Sequence, residues 1–314
     1  MAALTDWCNR RKRILDADTL DETLELYFDH LYFSGSLPRD GRYAMYGFAF
    51  LYDVPVNKTL LPRAFRALRG WKLCSPETAR DAEPWEVAVA VAAWLARCKL
   101  PQAMDAARCH ILQFDGFLRP SEALGLTWDS VFPPRRGSTA NQHWAILVRP
   151  NDTVAEGSST DLAAAARLVP RARPAKTGVH DNTVLFGETA SVKAGRGLVV
   201  PLLRRWYTTR GRSTHLFPLT LSRYEKLLGL AFDALKLKAF KLCAHSARHG
   251  GASVDSVLNV RSITAIQSRG CWDSPKSVAR YRKPGTYARQ VSLIPEAIMR
   301  GHSATLAALT KLLS

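Results

Sequence analysis

"RGCWDSPKSVARYRKP", residues 269–284, sets Tyr281 between Arg280 and Arg282 and closes on Lys283-Pro284. Ser274-Pro275 is a favourable helix start, because serine caps and proline's fixed φ suits the first turn. Pro284 disfavours continuing that helix, so the spacing predicts a short helix ending just past Tyr281. The tyrosine then stands near a helix C-terminus, where a side chain is reachable. The bland reading is a solvated basic helix end. The sharp one is a hydroxyl nucleophile held among cations, which a phenol of free pKa about 10 needs in order to act.

The composition leans towards the second. Lys and Arg number 44 against 27 Asp and Glu, leaving +17 over 314 residues. Such a surplus favours a polyanionic partner, most often nucleic acid. A membrane surface is the weaker alternative, since no basic amphipathic segment with a large apolar face stands out. The 47% hydrophobic content suits folded cores. The longest apolar run, "VAVAVAAWLA" (87–96), is too short to span a bilayer. "MAALTDWCNRRKR" does not read as a secretory signal. Cys8, Cys74, Cys98, Cys109, Cys243 and Cys271 show no C-x-x-C pair, so reduced thiols in an intracellular protein are expected.

Along the chain, residues 1–73 read as helical, with Leu20, Leu24, Tyr27, Phe28 and Leu31 on one face. "PRAFRALRGW" carries a basic stripe, Arg63, Arg66 and Arg69, which reads either as a solvated face or as a phosphate-tracking one. "SPETARDAEP" (75–84) reads as a linker, giving a helical domain over 1–78 and a larger one over 79–314. Buried helices follow, the second placing Met104, Ala107, Ile111 and Phe114 inward and ending near Gly116. "HWAILVRP" (143–150) and "NTVLF" (182–186) read as strands, with a hairpin turn at "AKTGVHDN" (175–182). Helices return from 222 onward. Gly250-Gly251 inside one of them costs about 1 kcal/mol each relative to alanine, which points to a close backbone approach. The last helix, 303–313, carries Leu306, Leu309 and Leu313 with little else in the sequence to cover them. The fold class expected is mainly α with a small antiparallel β-sheet.

Phosphodiester transfer through a protein hydroxyl needs fixed cations on the non-bridging oxygens and an acid for the leaving oxygen. Arginine suits the first role, because it is always charged and forks onto phosphate. Lysine, whose pKa shifts readily, suits the second. "GFLRPSEALGLTW" (116–128) holds Arg119 at the mouth of a helix with Glu122 three residues on. "PAKTG" holds Lys176 at a turn. "HSARHGG" (245–251) holds His245 and Arg248 on one helical face. Trp272 lies nine residues before Tyr281. His245 and His249 also have the spacing of a metal pair, but no third ligand and no H-E-x-x-H glutamate accompany them.

These boxes, in this order and at these intervals, resemble the tyrosine recombinases, the phage-integrase family. R-P-S-E-A-L-G-L-x-W looks like the family's first arginine box, and His245 with Arg248 looks like its H-x-x-R. The resemblance covers residues 84–290 well and 1–83 only by general layout. It implies a helical core-binding domain and a mixed α/β catalytic domain closing as a C-shaped clamp on double-stranded DNA. It implies that Tyr281 attacks the scissile phosphate to form a 3′-phosphotyrosyl link. Arg119 and Arg248 would clamp the non-bridging oxygens. Lys176 would protonate the leaving 5′-oxygen, His245 would assist proton transfer, Trp272 would pack or donate at the phosphate, and Glu122 would orient the cations. No cofactor, ATP or metal is called for. The resemblance further implies a homotetramer on DNA, with the last helix docking into a neighbouring subunit, working in the nucleus or the bacterial nucleoid according to host.

The sequence departs from the pattern in two places. Residues 151–170 interrupt the sheet, which leaves Lys193 as a second candidate for the acid, and tryptophan stands at 272 where histidine is commoner. Tyr287 is the rival nucleophile; Tyr207 and Tyr224 fall in earlier stretches. Site-specific recombination, type IB topoisomerase-like relaxation and catalytically silent DNA binding all remain open at this point.

Overall fold

The computed structural model describes residues 2–53, 55–75, 81–135, 137, 142–148, 183–187, 189–209, 215–272, 274–279, 281 and 284–313. The chain divides into two compact units, Met1–Ala79 and Arg80–Ser314.

The first unit is built from α1 (Ala2–Arg10), α2 (Leu20–Phe33), α3 (Pro38–Tyr52) and α4 (Pro62–Cys74). Leu20, Leu24, Tyr27 and Phe28 recur at helical period on α2, so burying them requires helices on that side. They meet Leu4 and Trp7 of α1, Met45 and Phe48 of α3, and Leu68 and Trp71 of α4. Leu31 is half-buried at the edge of this stripe. The start of α4 is held from α2: the Asp21 carboxylate accepts the backbone N–H groups of Arg63 and Ala64 at 3.0 and 2.8 Å. These are two of the donors a helix start leaves without partners.

The second unit is centred on α5 (Trp85–Arg97) and α6 (Ala103–Gly116), which pack on each other. Both bury residues on almost every side: α5 is apolar apart from Glu86 and Arg97 at its ends, and α6 buries His110, Gln113 and Asp115 among its apolar residues. After α7 (Pro120–Leu124) comes a sheet of β1 (Val131–Phe132), β2 (Trp144–Leu147) and β3 (Thr183–Phe186), antiparallel in chain order. Trp144 pairs with Phe186 and Ile146 with Val184, and all four face the core. This alternation is what the period of two demands of a half-covered sheet. Next follow α8 (Thr189–Lys193), α9 (Val199–Thr209), α10 (Leu221–Ala234), α11 (Ser246–Val257), α12 (Ile263–Arg269), α13 (Pro275–Ala279), α14 (Pro284–Ser292) and α15 (Glu296–Leu313). The described chain is thus mainly helical with a small antiparallel sheet. The expected turn at 175–182 and the insertion at 151–170 lie outside the described residues.

The glycines of α11 do what their position suggests. A Cβ at Gly250 would run into the Glu83 carbonyl oxygen and come 2.7 Å from the Phe114 ring. One at Gly251 would run into the Phe114 carbonyl oxygen and come 2.8 Å from the Phe117 ring. Backbone-to-backbone contact with α6, and with the segment before α5, is possible only without side chains there. Beneath this crossing lies a buried polar chain. His110 bridges Glu83 and Tyr224 at 3.1 Å each, and the Tyr224 hydroxyl donates to Gln113 at 2.9 Å.

Three expectations need correction. The short helix ends at Ala279, before Tyr281 rather than just past it, and Pro284 opens the first turn of α14, a place where its missing N–H is harmless. The last helix begins at Glu296, and its leucines are not uncovered. Leu309 and Leu313 are fully buried and Leu306 half-buried, because α15 lies on α5 of the same chain. The largely apolar α5 needs cover on most of its sides, and α15 supplies one of them. The third concerns Tyr281: it is only 6% exposed rather than reachable. No helix among the described residues is long and apolar enough to cross a membrane.

Candidate active site

Four separate stretches converge on one guanidinium. The first is the end of α6, where Phe117 adopts a left-handed φ of 53° and its carbonyl accepts from Arg248. Immediately after it, Arg119 caps α7, Pro120 fills the first position and Glu122 the third. The Glu122 carboxylate accepts the Arg119 backbone N–H at 2.7 Å and also pairs with the Arg119 guanidinium. It also lies 3.4 Å from Arg248 Nη1. One carboxylate thus ties two arginines together, which offsets part of their mutual repulsion.

The second stretch is α11, whose crossing on α6 delivers Arg248. The third is the turn after α12. There the Gly270 carbonyl accepts from Arg248 Nη2 at 2.6 Å. Cys271 turns left-handed at φ 49°, and the N–H groups of Cys271 and Trp272 close back on Ser268 and Gln267 at 3.0 and 3.1 Å. That is the helix-ending motif in which glycine usually takes the left-handed place. A left-handed non-glycine residue costs on the order of 1 kcal/mol. Phe117 carries one of the two carbonyls that receive Arg248, and Cys271 directly follows the other.

The fourth stretch is the turn after α13, which carries Tyr281. The Arg248 guanidinium carbon stands 4.6 Å from the Trp272 ring centroid, a cation–π contact. Trp272 and Tyr281 have centroids 4.7 Å apart, and His249 and Tyr281 5.2 Å. The phenol ring is seated on Phe117, Ala252, Ile266 and Val278, which explains its burial.

The electrostatics differ between the two arginines. Burial lowers the Arg248 pKa, the nearby Arg119 charge pushes the same way, and Glu122 opposes both. A guanidinium remains charged regardless. The Arg119 side chain is 24% exposed against 5% for Arg248. Arg119 is therefore the cation that faces solvent, and Arg248 the one held from beneath.

Of the residues singled out from the sequence, Arg119, Glu122, Arg248, Trp272 and Tyr281 come together. His245 is half-buried at the start of α11, and the imidazole that meets the Tyr281 ring is that of His249 one turn on. His249, which the sequence offers only as half of a possible metal pair, packs its ring on Tyr281. Lys176 lies outside the described residues, as do Arg280, Arg282 and Lys283. Lys193 is exposed at the end of α8. Burial raises the pKa of Tyr287, the rival nucleophile, and of Tyr224 above that of a free phenol. On α4, Arg63 is engaged by Glu25 at 2.6 Å and Glu22 at 3.9 Å, whereas Arg66 and Arg69 are exposed and form no ion pair with described residues. Among the described residues no group of three His, Cys, Asp or Glu gathers as a metal site.

No protein-family model matches the chain, and no curated protein matches it.

Proposed function

We propose that this protein is a DNA strand transferase that cleaves and rejoins through a phosphotyrosyl intermediate at Tyr281. The observation that carries the reading is the stack of Arg248 on Trp272 on Tyr281, with Glu122 binding Arg119 to the same guanidinium. It gathers a phenol, an indole and two permanent cations from segments up to 162 residues apart, the parts a phosphodiester transfer needs.

In this reaction the Tyr281 oxygen bonds to the scissile phosphorus while the bond to the 5′-oxygen breaks. The phenolic proton passes towards His245, at the N-cap of α11. A lysine, Lys176 or Lys193, gives a proton to the leaving 5′-oxygen. Arg119 and Arg248 hold the charge that builds on the non-bridging oxygens. Attack by a 5′-hydroxyl reverses every step, so the phosphotyrosine conserves the bond energy and neither ATP nor metal is consumed. Since the phenol is 6% exposed, engaging DNA has to shift Trp272 or His249 from its ring.

The partner is double-stranded DNA, attracted by the surplus of +17. Recombination by a homotetramer, in the nucleus or nucleoid, is the first reading. It requires α15 to leave α5 and dock on a neighbour. The cis-packed α15 favours a second reading, relaxation of supercoiled DNA by a monomer. The test is to mix the protein with nicked duplexes from pooled genomic DNA, in a metal chelator, and run a denaturing gel. A covalent protein–DNA band supports strand transfer. Its absence despite salt-sensitive binding supports a silent DNA-binding protein instead. Relaxed circles without joined products would favour the monomeric topoisomerase reading.

A further inference from the structure

Arg269 ends α12 one residue before Gly270, and it is 8% exposed. Its Nε donates to the Asp115 carbonyl at 2.9 Å, its Nη2 lies 3.4 Å from the Asp115 carboxylate, and its Nη1 donates to the Leu185 carbonyl of β3 at 2.6 Å. The guanidinium carbon sits 5.5 Å from the Phe117 ring centroid and 5.2 Å from that of Phe186. A planar fork with five donors can join a strand and a helix end in this way; an ammonium cannot.

Asp115 is fixed in its turn. Its carboxylate accepts from the Ser191 hydroxyl at 3.0 Å and lies 3.6 Å from Arg196 Nε. Arg196 pairs with Asp255 on α11, and Arg261 reaches both Asp255 and the Ser191 hydroxyl. Such a buried ion cluster is weak support for stability, because apolar packing often replaces one without loss. What it supplies is direction.

The two peptide carbonyls that receive Arg248 are those of Phe117 and Gly270. Phe117 lies two residues after Asp115, and Gly270 one residue after Arg269. Arg269 therefore joins the two backbone segments that together cradle Arg248, and the second of them goes on to Trp272. We propose that Arg269 is a positioning residue for strand transfer: it sets the separation of those carbonyls, and through them the place of Arg248 and Trp272. The inference rests on the strand-transfer reading above.

The test compares wild type, Arg269→Met and Arg269→Lys on the nicked duplex recovered from the covalent trap. Each is also run on the same duplex with a methylphosphonate at the scissile position, which removes the non-bridging charge that Arg248 holds. Both variants should form the covalent complex about a hundredfold more slowly on the natural phosphate, as expected for a small misplacement of a reacting group. The deficit should shrink to a few-fold on the methylphosphonate, where a displaced guanidinium matters less. A deficit equal on both substrates means that Arg269 only maintains the fold, and overturns the proposal. So does wild-type speed in both variants. If thermal melting shows that Arg269→Met does not fold, Arg269→Lys, which keeps the charge, decides alone by the same comparison. A wild type that forms no covalent complex overturns the strand-transfer reading itself, and this inference with it.

Discussion

His249 lays its imidazole against the Tyr281 ring with 5.2 Å between centroids, while His245 stands one turn earlier at the start of α11. The two histidines should therefore fail differently. His249→Phe keeps the ring contact and should retain most of the covalent-complex rate, whereas His249→Ala removes the wall behind the phenol and should slow it. His245→Ala should lower the rate by about a hundredfold, the usual effect of losing a proton-transfer group. Single-turnover rates on the trapped duplex separate the three. Full loss in His249→Phe would transfer the proton-handling role to His249.

Gly250 and Gly251 should not tolerate alanine. Each added methyl meets a backbone carbonyl of the chain it crosses, so α11 must move and Arg248 with it. Overpacking of this kind typically costs about 1–3 kcal/mol. Gly70 in α4 is the control, since a Cβ there meets nothing within 4 Å. Gly70→Ala should stabilise by roughly 0.5–1 kcal/mol through helix propensity. Urea unfolding of the three variants checks both signs.

The stripe on α4 should divide by function. Arg66→Ala and Arg69→Ala should each weaken duplex binding and reduce the salt slope by about 1, as loss of a phosphate contact does. Arg63→Ala should leave the slope nearly unchanged, because Glu25 and Glu22 already hold that guanidinium. Titrations at several salt concentrations distinguish the two behaviours.

Stability should fall at alkaline pH. Burial, reinforced by Cys109 and Glu83, holds the Tyr224 pKa above its ordinary 10.0, and burial holds the Cys109 thiol above 9.0. Both groups are acids that the folded chain keeps protonated after the unfolded chain has released its protons. Their contribution is complete below about pH 9 and is lost as pH rises beyond it. Thermal melts from pH 7 to 11 should show this decline, and Tyr224→Phe should flatten it. The same variant should lose about 1–3 kcal/mol at neutral pH, because Gln113 and His110 lose a buried partner.

Arg119, Arg248 and Tyr281 stand out in the sequence because each sits in a short stretch whose local chemistry is unusual: an arginine before Pro-Ser-Glu, a histidine three residues before an arginine, a tyrosine ringed by cations; Trp272 stands out only by its interval to Tyr281. The helical periods of α2 and α6 and the pairing of β2 with β3 were legible for the same local reason. His249 was not, because which of two histidines one turn apart faces Tyr281 depends on how α11 crosses α6. Arg269, Asp115, Arg196 and Asp255 were not either: a charged side chain in sequence reads as solvated, and only the packing of α12 on β3 buries this set. The cover on Leu309 and Leu313 is not legible because a largely apolar α5 does not say which helix will lie on it.

The most direct measurement is the identity of the residue that carries DNA after cleavage. Covalent complexes trapped on nicked duplex would be digested with protease and nuclease, and the nucleotide-bearing peptide located by mass spectrometry, with Tyr281→Phe alongside. The account predicts a single modified peptide spanning Tyr281 in the wild type and no covalent complex in the variant. A nucleotide on Tyr287, or a covalent complex that persists in Tyr281→Phe, would contradict it.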